Sequence, residues 1–246
     1  MTALAGKRAL VTGAGKNIGR AIALHLARDG ASVIVNGRSD RAAVEAVVAE
    51  IRATGGEARA EMADISDPAQ AAALIERAGP LDILVSNAGL RRQTPFVEMT
   101  YAEWREILSV ALDGAFLLAR AAVPGMIARG GGVIIGLSGI STHVGTPHRA
   151  HVSASKAGLE GLMRALAVEL GPYGIRCNCV APGAVETTRG PSAGAMPSSL
   201  GRAESIPLRK VAQVDDIARL VRFLAGPEAG HITGQTIHVN GGAFLT

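Results

Sequence analysis

The stretch "KRALVTGAGKNIGRAIALHLARDG", Lys7 to Gly30, decides the fold. It opens as an apolar run of strand length and ends with apolar residues at helical spacing, and Gly13, Gly15 and Gly19 stand at the junction. Glycines there let the backbone bend sharply and approach a pyrophosphate. The helix N-terminus that follows offers unsatisfied N–H groups to negative charge. The spacing is not GxGxxG, and a glycine-rich turn after a strand is common, so the turn needs support from elsewhere in the chain.

That support is an alternation that continues to the end. "ASVIVNG" is apolar and "DRAAVEAVVAEIRATGG" helical; "LDILVSNAG" precedes a long helix expected over Tyr101 to Ala128. "GGVIIGLSG", a helix carrying Lys156, "IRCNCVAPG", a helix near Val214 to Ala225 and the strand "QTIHVNGG" complete the series. Short apolar strands separated by helices predict a Rossmann-type α/β fold: a doubly wound, seven-stranded parallel sheet with helices on both faces.

The 246 residues fit one domain, residues 1–246, without a linker or repeat. One irregular segment, Glu186 to Lys210, is rich in Gly, Pro and Ser, too long for a simple turn, and reads as a lid. The formal charge is +4, but its 25 basic residues are spread along the chain, which argues against nucleic acid as a partner. No uncharged apolar segment approaches about 18 residues and the N-terminus runs straight into a strand, so no membrane partner and a cytoplasmic location are expected. Cys177 and Cys179, two apart on a strand, point to one face; they read as packing residues, and no metal site is indicated.

Further short motifs fall where open parallel sheets bind ligands, at the carboxyl ends of strands. They are Ala63-Asp64, "SNAG" at Ser86 to Gly89, "APGAVET" at Ala181 to Thr187, and the closing "ITGQTIHVNGG". With Thr12 to Gly19 they make the whole chain resemble the short-chain dehydrogenase/reductase family, whose patterns TGxxxGxG, NNAG and PGxxxT they follow in order. Asn17 replaces the middle glycine, and asparagine tolerates positive φ better than most residues.

The resemblance implies a dinucleotide site built from Gly13, Gly15, Lys16, Asn17, Ile18 and Gly19 in the first turn. It adds Arg38, Asp64 and Ile65, then Asn87, Ala88 and Gly89, then Lys156, and finally Pro182, Gly183, Val185 and Thr187. The second strand ends in "VNGRS", so Gly37 stands where an acid would take the ribose hydroxyls of NAD, and Arg38 follows. Guanidinium suits phosphate and Lys16 adds a second charge, so NADPH is favoured over NADH.

At the chemical end the family pattern fails. The asparagine of the long helix falls at Ala111, the serine after the fifth strand at Gly139 and the tyrosine of YxxxK at Val152; Lys156 remains. Carbonyl reduction builds charge on oxygen and needs a proton donor and an oxyanion donor, which Ala, Gly and Val cannot be. Candidate replacements crowd the same region: His151 and Ser153, expected with Lys156 to be catalytic, and His143, His148, Ser138, Ser141 and Ser155. Asp113 reads as a structural or interface residue.

The 2,4-dienoyl-CoA reductases, a branch of the family, also lack that tyrosine, and "AHVSASKAG" resembles them; the tyrosine they use falls at Ser141. The expectation is an NADPH-dependent reductase with a rearranged acid, acting on an activated alkene or unusual carbonyl small molecule. The alternatives are a dinucleotide-binding protein without turnover and a non-redox acid/base enzyme using the same pocket. Family members pair through their long helices, and "LEGLMRALAVEL" carries small and apolar residues on both faces, so a homotetramer is expected.

Overall fold

Leu10, Ile34, Leu84 and Ile134 lie in register on neighbouring strands and face one side of a parallel sheet. Their neighbours Ala9, Val11, Val33, Val35, Ile83, Val85, Val133 and Ile135 face the other side. A strand buried on both faces has no polar side to offer, and this is why these segments read as unbroken apolar runs rather than alternating ones. Each such Leu or Ile contributes roughly 1.5–3 kcal/mol by leaving water.

The computed structural model describes residues 2–188 and 203–245. Its strands are β1 (Arg8–Val11), β2 (Ser32–Gly37), β3 (Ala58–Met62), β4 (Ile83–Ser86), β5 (Gly132–Leu137), β6 (Ile175–Pro182) and β7 (Thr236–Val239). They pair in the order β3-β2-β1-β4-β5-β6-β7, all parallel. The expected doubly wound sheet of seven strands is therefore present. Chain order reverses between β1 and β4, and the two loops leaving these strands diverge there to open a crevice.

Helices α1 (Asn17–Arg28), α2 (Arg41–Ala53) and α8 (Val214–Ala225) bury Ile22, Val47, Ile51, Ile217 and Val221 against one face. Helices α3 (Pro68–Ala78), α5 (Gly114–Ala128) and α7 (Ala150–Leu170) bury Leu74, Leu118, Leu159 and Met163 against the other. Asp40 and Asp67 cap α2 and α3 by accepting from the N–H groups of Ala43 and Gln70. Cys177 and Cys179 are free, share the second face, and have thiols pushed up to about 12 by burial. They are packing groups.

The long helix expected over Tyr101 to Ala128 is interrupted. Helix α4 (Tyr101–Leu108) passes through a π-turn, Ser109–Asp113, before α5 begins. Such bulges recur at functional sites; this one carries Ala111 and brings Val110 to the crevice. The same 28-residue run contains an 18-residue window with a mean hydropathy of 1.6, and is long and apolar enough to cross a membrane by composition alone. Its buried Leu118, Ala119, Ala122 and Met126 instead cover the sheet. Asp113 pairs with Arg105 at the surface, at 2.9 Å.

Most of the expected lid, Glu186 to Lys210, lies outside the described residues. Its two described ends are fastened. Val185 bridges Ala212, Glu186 N–H donates to the Ala212 carbonyl, and Leu208 N–H donates to that of Gly241.

Candidate active site

The turn after β1 folds on itself through Thr12, whose hydroxyl donates to the Val85 carbonyl and accepts from the N–H groups of Asn87 and Ala88. Asn87 Nδ2 donates to the carbonyls of Thr12 (2.8 Å) and Gly13 (3.1 Å), so β1 and β4 end as one unit. A Cβ at Gly19 would stand 2.4 Å from the Gly13 oxygen and 2.5 Å from Asn87 Nδ2. Only glycine closes this turn. Gly13 has φ +60° and Asn17 φ +51°, the conformation expected of the missing glycine.

Asn17 does more than tolerate that conformation. Its amide donates to the Thr188 carbonyl and accepts from the Thr188 N–H, both at 2.9 Å. A glycine could make neither bond.

One cleft gathers Gly13 to Gly19, Arg38, Asp64, Ile65, Asn87, Ala88, Gly89 and Thr187. Gly15, Lys16, Asn17 and Ile18 form its floor at the open N-terminus of α1, where the helix dipole favours an anion. Gly37 faces it without a side chain: a Cβ there would come 2.5 Å from Val44 Cγ2, so a side chain at this position would require Val44 to shift. Arg38 stands at the rim, half exposed, 3.8 Å from Asp64. The sequence reading did not include Asn36, which lines the cleft and ties β2 to β3 through the carbonyls of Glu61 and Ala63.

A second chamber continues from the first and shares Ile18, Asn87, Gly89, Leu90 and Arg91 with it. Lys156, Pro182, Gly183 and Val185 line it, as do Gly139 and Val152. Lys156 is held where cleft and chamber meet. Its Nζ donates to the Leu137 carbonyl and would lie 3.4 Å from a Cβ on Gly89. Burial, and secondarily the charge of Arg91, bring the Lys156 ammonium down to about 8.

The residues expected to serve as the acid sort sharply. His151 and Ser153 are not at the chamber. Helix α7 begins at Ala150, and five residues at about 100° each carry His151 to the side opposite Lys156. There it is fully buried, accepts from the Val152 N–H through Nδ1, and meets Glu103 through Nε2 at 3.1 Å. Ser153 is turned toward the short helix α6 (Ser141–Val144) and donates to the Ser141 carbonyl.

Ser155 bonds within its own helix to the Val152 carbonyl. His143 meets Glu160 at 3.2 Å, and Ser138 gives its hydroxyl to the same carboxylate. His148 adopts φ +61° in the loop before α7, where its carbonyl accepts from Thr94 N–H. Ser141 alone of these hydroxyls lines the chamber without donating elsewhere among the described residues. Its Oγ lies 3.8 Å from where a side chain on Gly139 would start.

Two residues the sequence reading passed over complete the lining: Arg91 and Arg149. Arg149 is only 8% exposed. Among the described residues no three His, Cys, Asp or Glu side chains converge as metal ligands.

A family model described as enoyl-(acyl carrier protein) reductase matches residues 13–243. The chain is 41% identical over 245 residues to the 3-oxoacyl-(acyl-carrier-protein) reductase FabG of Staphylococcus aureus strain Mu50, covering 97% of this chain and 98% of that one. It is 39% identical over 250 residues to the corresponding reductase of Synechocystis, with both chains covered in full. A crystal structure of a blue fluorescent protein from a metagenomic library, in complex with NADPH, superposes with a TM-score of 0.91 at 36% identity, covering 99% and 100% of the two chains. Strand order, glycine turn and retained lysine agree with this likeness along the whole chain, and the chain belongs to the short-chain dehydrogenase/reductase family.

Proposed function

We propose that this chain is an NADP(H)-dependent oxidoreductase whose proton delivery departs from the family pattern, and that it acts on an activated alkene or an unusual carbonyl compound. The observation that carries this reading is Lys156, placed at the mouth of the chamber beside Gly139 and Val152, neither of which has a hydroxyl to give.

The cleft fits a dinucleotide. Gly19 leaves no room for a Cβ and Gly13 has φ +60°, the N-terminus of α1 is open, and Lys16 and Arg38 supply cationic groups at the rim. A phosphorylated ribose suits Arg38 better than the bare diol of NAD, because Gly37 provides no carboxylate. A relative with 36% identity is described in complex with NADPH. When bound, the coenzyme supplies a hydride. Gly13 to Gly19 would hold its phosphates; Asn87, Pro182, Gly183, Val185 and Thr187 would wall the path into the chamber.

The chain must then supply a proton. An amine near pH 8 is well matched to general-acid work at neutral pH, and Lys156 Nζ is such a group. Ser141 Oγ can orient the acceptor oxygen. His151 and Ser153, turned away, take no part.

The loss of three family positions at Ala111, Gly139 and Val152 favours one other reading, a dinucleotide-binding protein without turnover. NADPH oxidation assayed against enones, enoyl thioesters, 3-oxoacyl thioesters and ketones separates the two. Turnover of any class supports the enzyme; silence with tight NADPH binding supports the binder; no affinity for either nicotinamide coenzyme removes both. The expected homotetramer would cover Phe116 of α5 and Val168 of α7, exposed at 48% and 83% respectively, and light scattering on the purified protein tests it.

A further inference from the structure

Lys156 brings a nucleophilic nitrogen to the chamber, and no carboxylate, phenol or thiol lines that space with it. Its Nζ donates to the Leu137 carbonyl, and the groups whose charge acts on it are Arg91, from the loop after β4, and Cys179 on β6. Burial holds the Cys179 thiol neutral, at about 12. No carboxylate therefore ties the ammonium in its charged form. Leu90, Ile140, Val152 and Pro182 give the chamber apolar walls, and its volume of about 150 Å³ matches a cavity that admits a molecule of benzene's size. A partly desolvated amine in an apolar pocket, near another cation, is the setting in which lysine attacks carbonyl carbon. With its ammonium at about 8, roughly a tenth of Lys156 is free amine at pH 7, roughly three hundred times the share of a lysine at 10.5.

We propose that Lys156 Nζ captures a small aldehyde or ketone in this chamber as a reversible imine. The nitrogen lone pair forms a bond to the carbonyl carbon and the π pair of the C=O bond moves to oxygen. Both protons of the amine then leave with that oxygen as water, and a C=N bond remains. Hydrolysis reverses each step, so no oxidant or reductant is consumed. Ser141 lines the same space, and its hydroxyl can hydrogen-bond the departing oxygen. Once protonated from solvent, the imine nitrogen is a stronger electron sink than the carbonyl oxygen it replaces. That consequence for reduction rests on the functional reading above; the capture itself rests on the chamber alone.

The test is run on the full chain without coenzyme, at pH 7, with butanal or 2-butanone and sodium cyanoborohydride, which reduces an imine to a stable secondary amine. Peptide mass spectrometry then locates the label, with the exposed lysines Lys7, Lys16 and Lys210 as internal controls. Label at Lys156 should exceed that at each of them by about tenfold or more, and Lys156→Arg, checked for folding by its melting temperature, should lose most of the total. 1-Pyrenecarboxaldehyde, too large for the chamber, should show no preference for Lys156. Label spread evenly over the lysines, no label at Lys156, an unchanged total in Lys156→Arg, or the same preference with the pyrene aldehyde would each overturn the proposal. The mapping is made on the parent chain, so it stays readable if the variant fails to fold. Failure of a nicotinamide coenzyme to bind would strike the functional reading and leave this result standing.

Discussion

Asn17 and Thr188, 171 positions apart, hold each other through two reciprocal hydrogen bonds of 2.9 Å. Asn17 thereby joins the floor of the cleft at the start of α1 to the segment leaving β6. Both residues line that cleft, so the clamp sets part of its width.

Asn17→Gly keeps the positive φ and deletes the clamp. Exposed hydrogen bonds are worth about 1 kcal/mol together, so the Kd for NADPH should rise about fivefold with little change in melting temperature. Asn17→Ala should add a folding cost of about 1 kcal/mol, because alanine resists φ +51°. Calorimetry and thermal melts of the two variants check this; an unchanged Kd for Asn17→Gly would show that the clamp leaves the cleft unaffected.

Arg38 should decide between the two coenzymes. It is half exposed and 3.8 Å from Asp64, close enough to lean on that carboxylate when no phosphate is present. Arg38→Ala should weaken NADPH by about tenfold or more through loss of a charge-assisted contact, while NADH changes little. Parallel Kd measurements for both coenzymes give the ratio. A ratio that does not move assigns the phosphate to Lys16 instead.

Hydroxyls can be placed at the two positions where the family resemblance expects them. A Cβ on Gly139 meets nothing nearer than Ser141 Oγ at 3.8 Å and the Pro182 carbonyl at 4.0 Å, so Gly139→Ser fits without strain. Val152 occupies the chamber wall one helical turn before Lys156, where a phenol would lie beside the ammonium. The double variant Gly139→Ser, Val152→Tyr should gain NADPH-dependent reduction of simple ketones by about a hundredfold, the lower range for a placed general acid. If the parent chain already reduces them as fast, the proton source of the present site is sufficient and the family hydroxyls are redundant here.

The fold was legible because a parallel sheet covered on both faces leaves a strong sequence signal: Leu10, Ile34, Leu84 and Ile134 each sit inside an unbroken apolar run. The turn after β1 was legible because it demands glycine at Gly19, where a Cβ would stand 2.4 Å from the Gly13 oxygen. The acid was not. Whether His151 faces the site depends on where α7 starts, and a helix start carries no periodic signal; beginning at Ala150, it turns the imidazole toward Glu103. Arg149 stood beside the same motif, but one arginine at a helix entrance looks like any solvated surface residue. Its burial became visible only once the chain was folded.

Lys156 gives the site its pH dependence. Burial lowers its ammonium from 10.5 to about 8, so the folded protein favours the neutral amine. The stabilising effect of that preference is complete above the unfolded value and is lost as pH falls through about 8. Function runs in the opposite sense, since the amine above about 8 has no proton to give and no charge to offer an anion. kcat/KM should therefore be level from pH 6.5 to 7.5 and fall about tenfold per unit well above 8. Lys156→Arg keeps the charge but cannot release a proton, so it should retain coenzyme binding and lose turnover at every pH. Lys156→Met should lose both and melt no lower than the parent at pH 7, because a costly buried cation has gone. A rate profile level to pH 10, or an active Lys156→Arg variant, would move the proton source to Ser141 or to solvent.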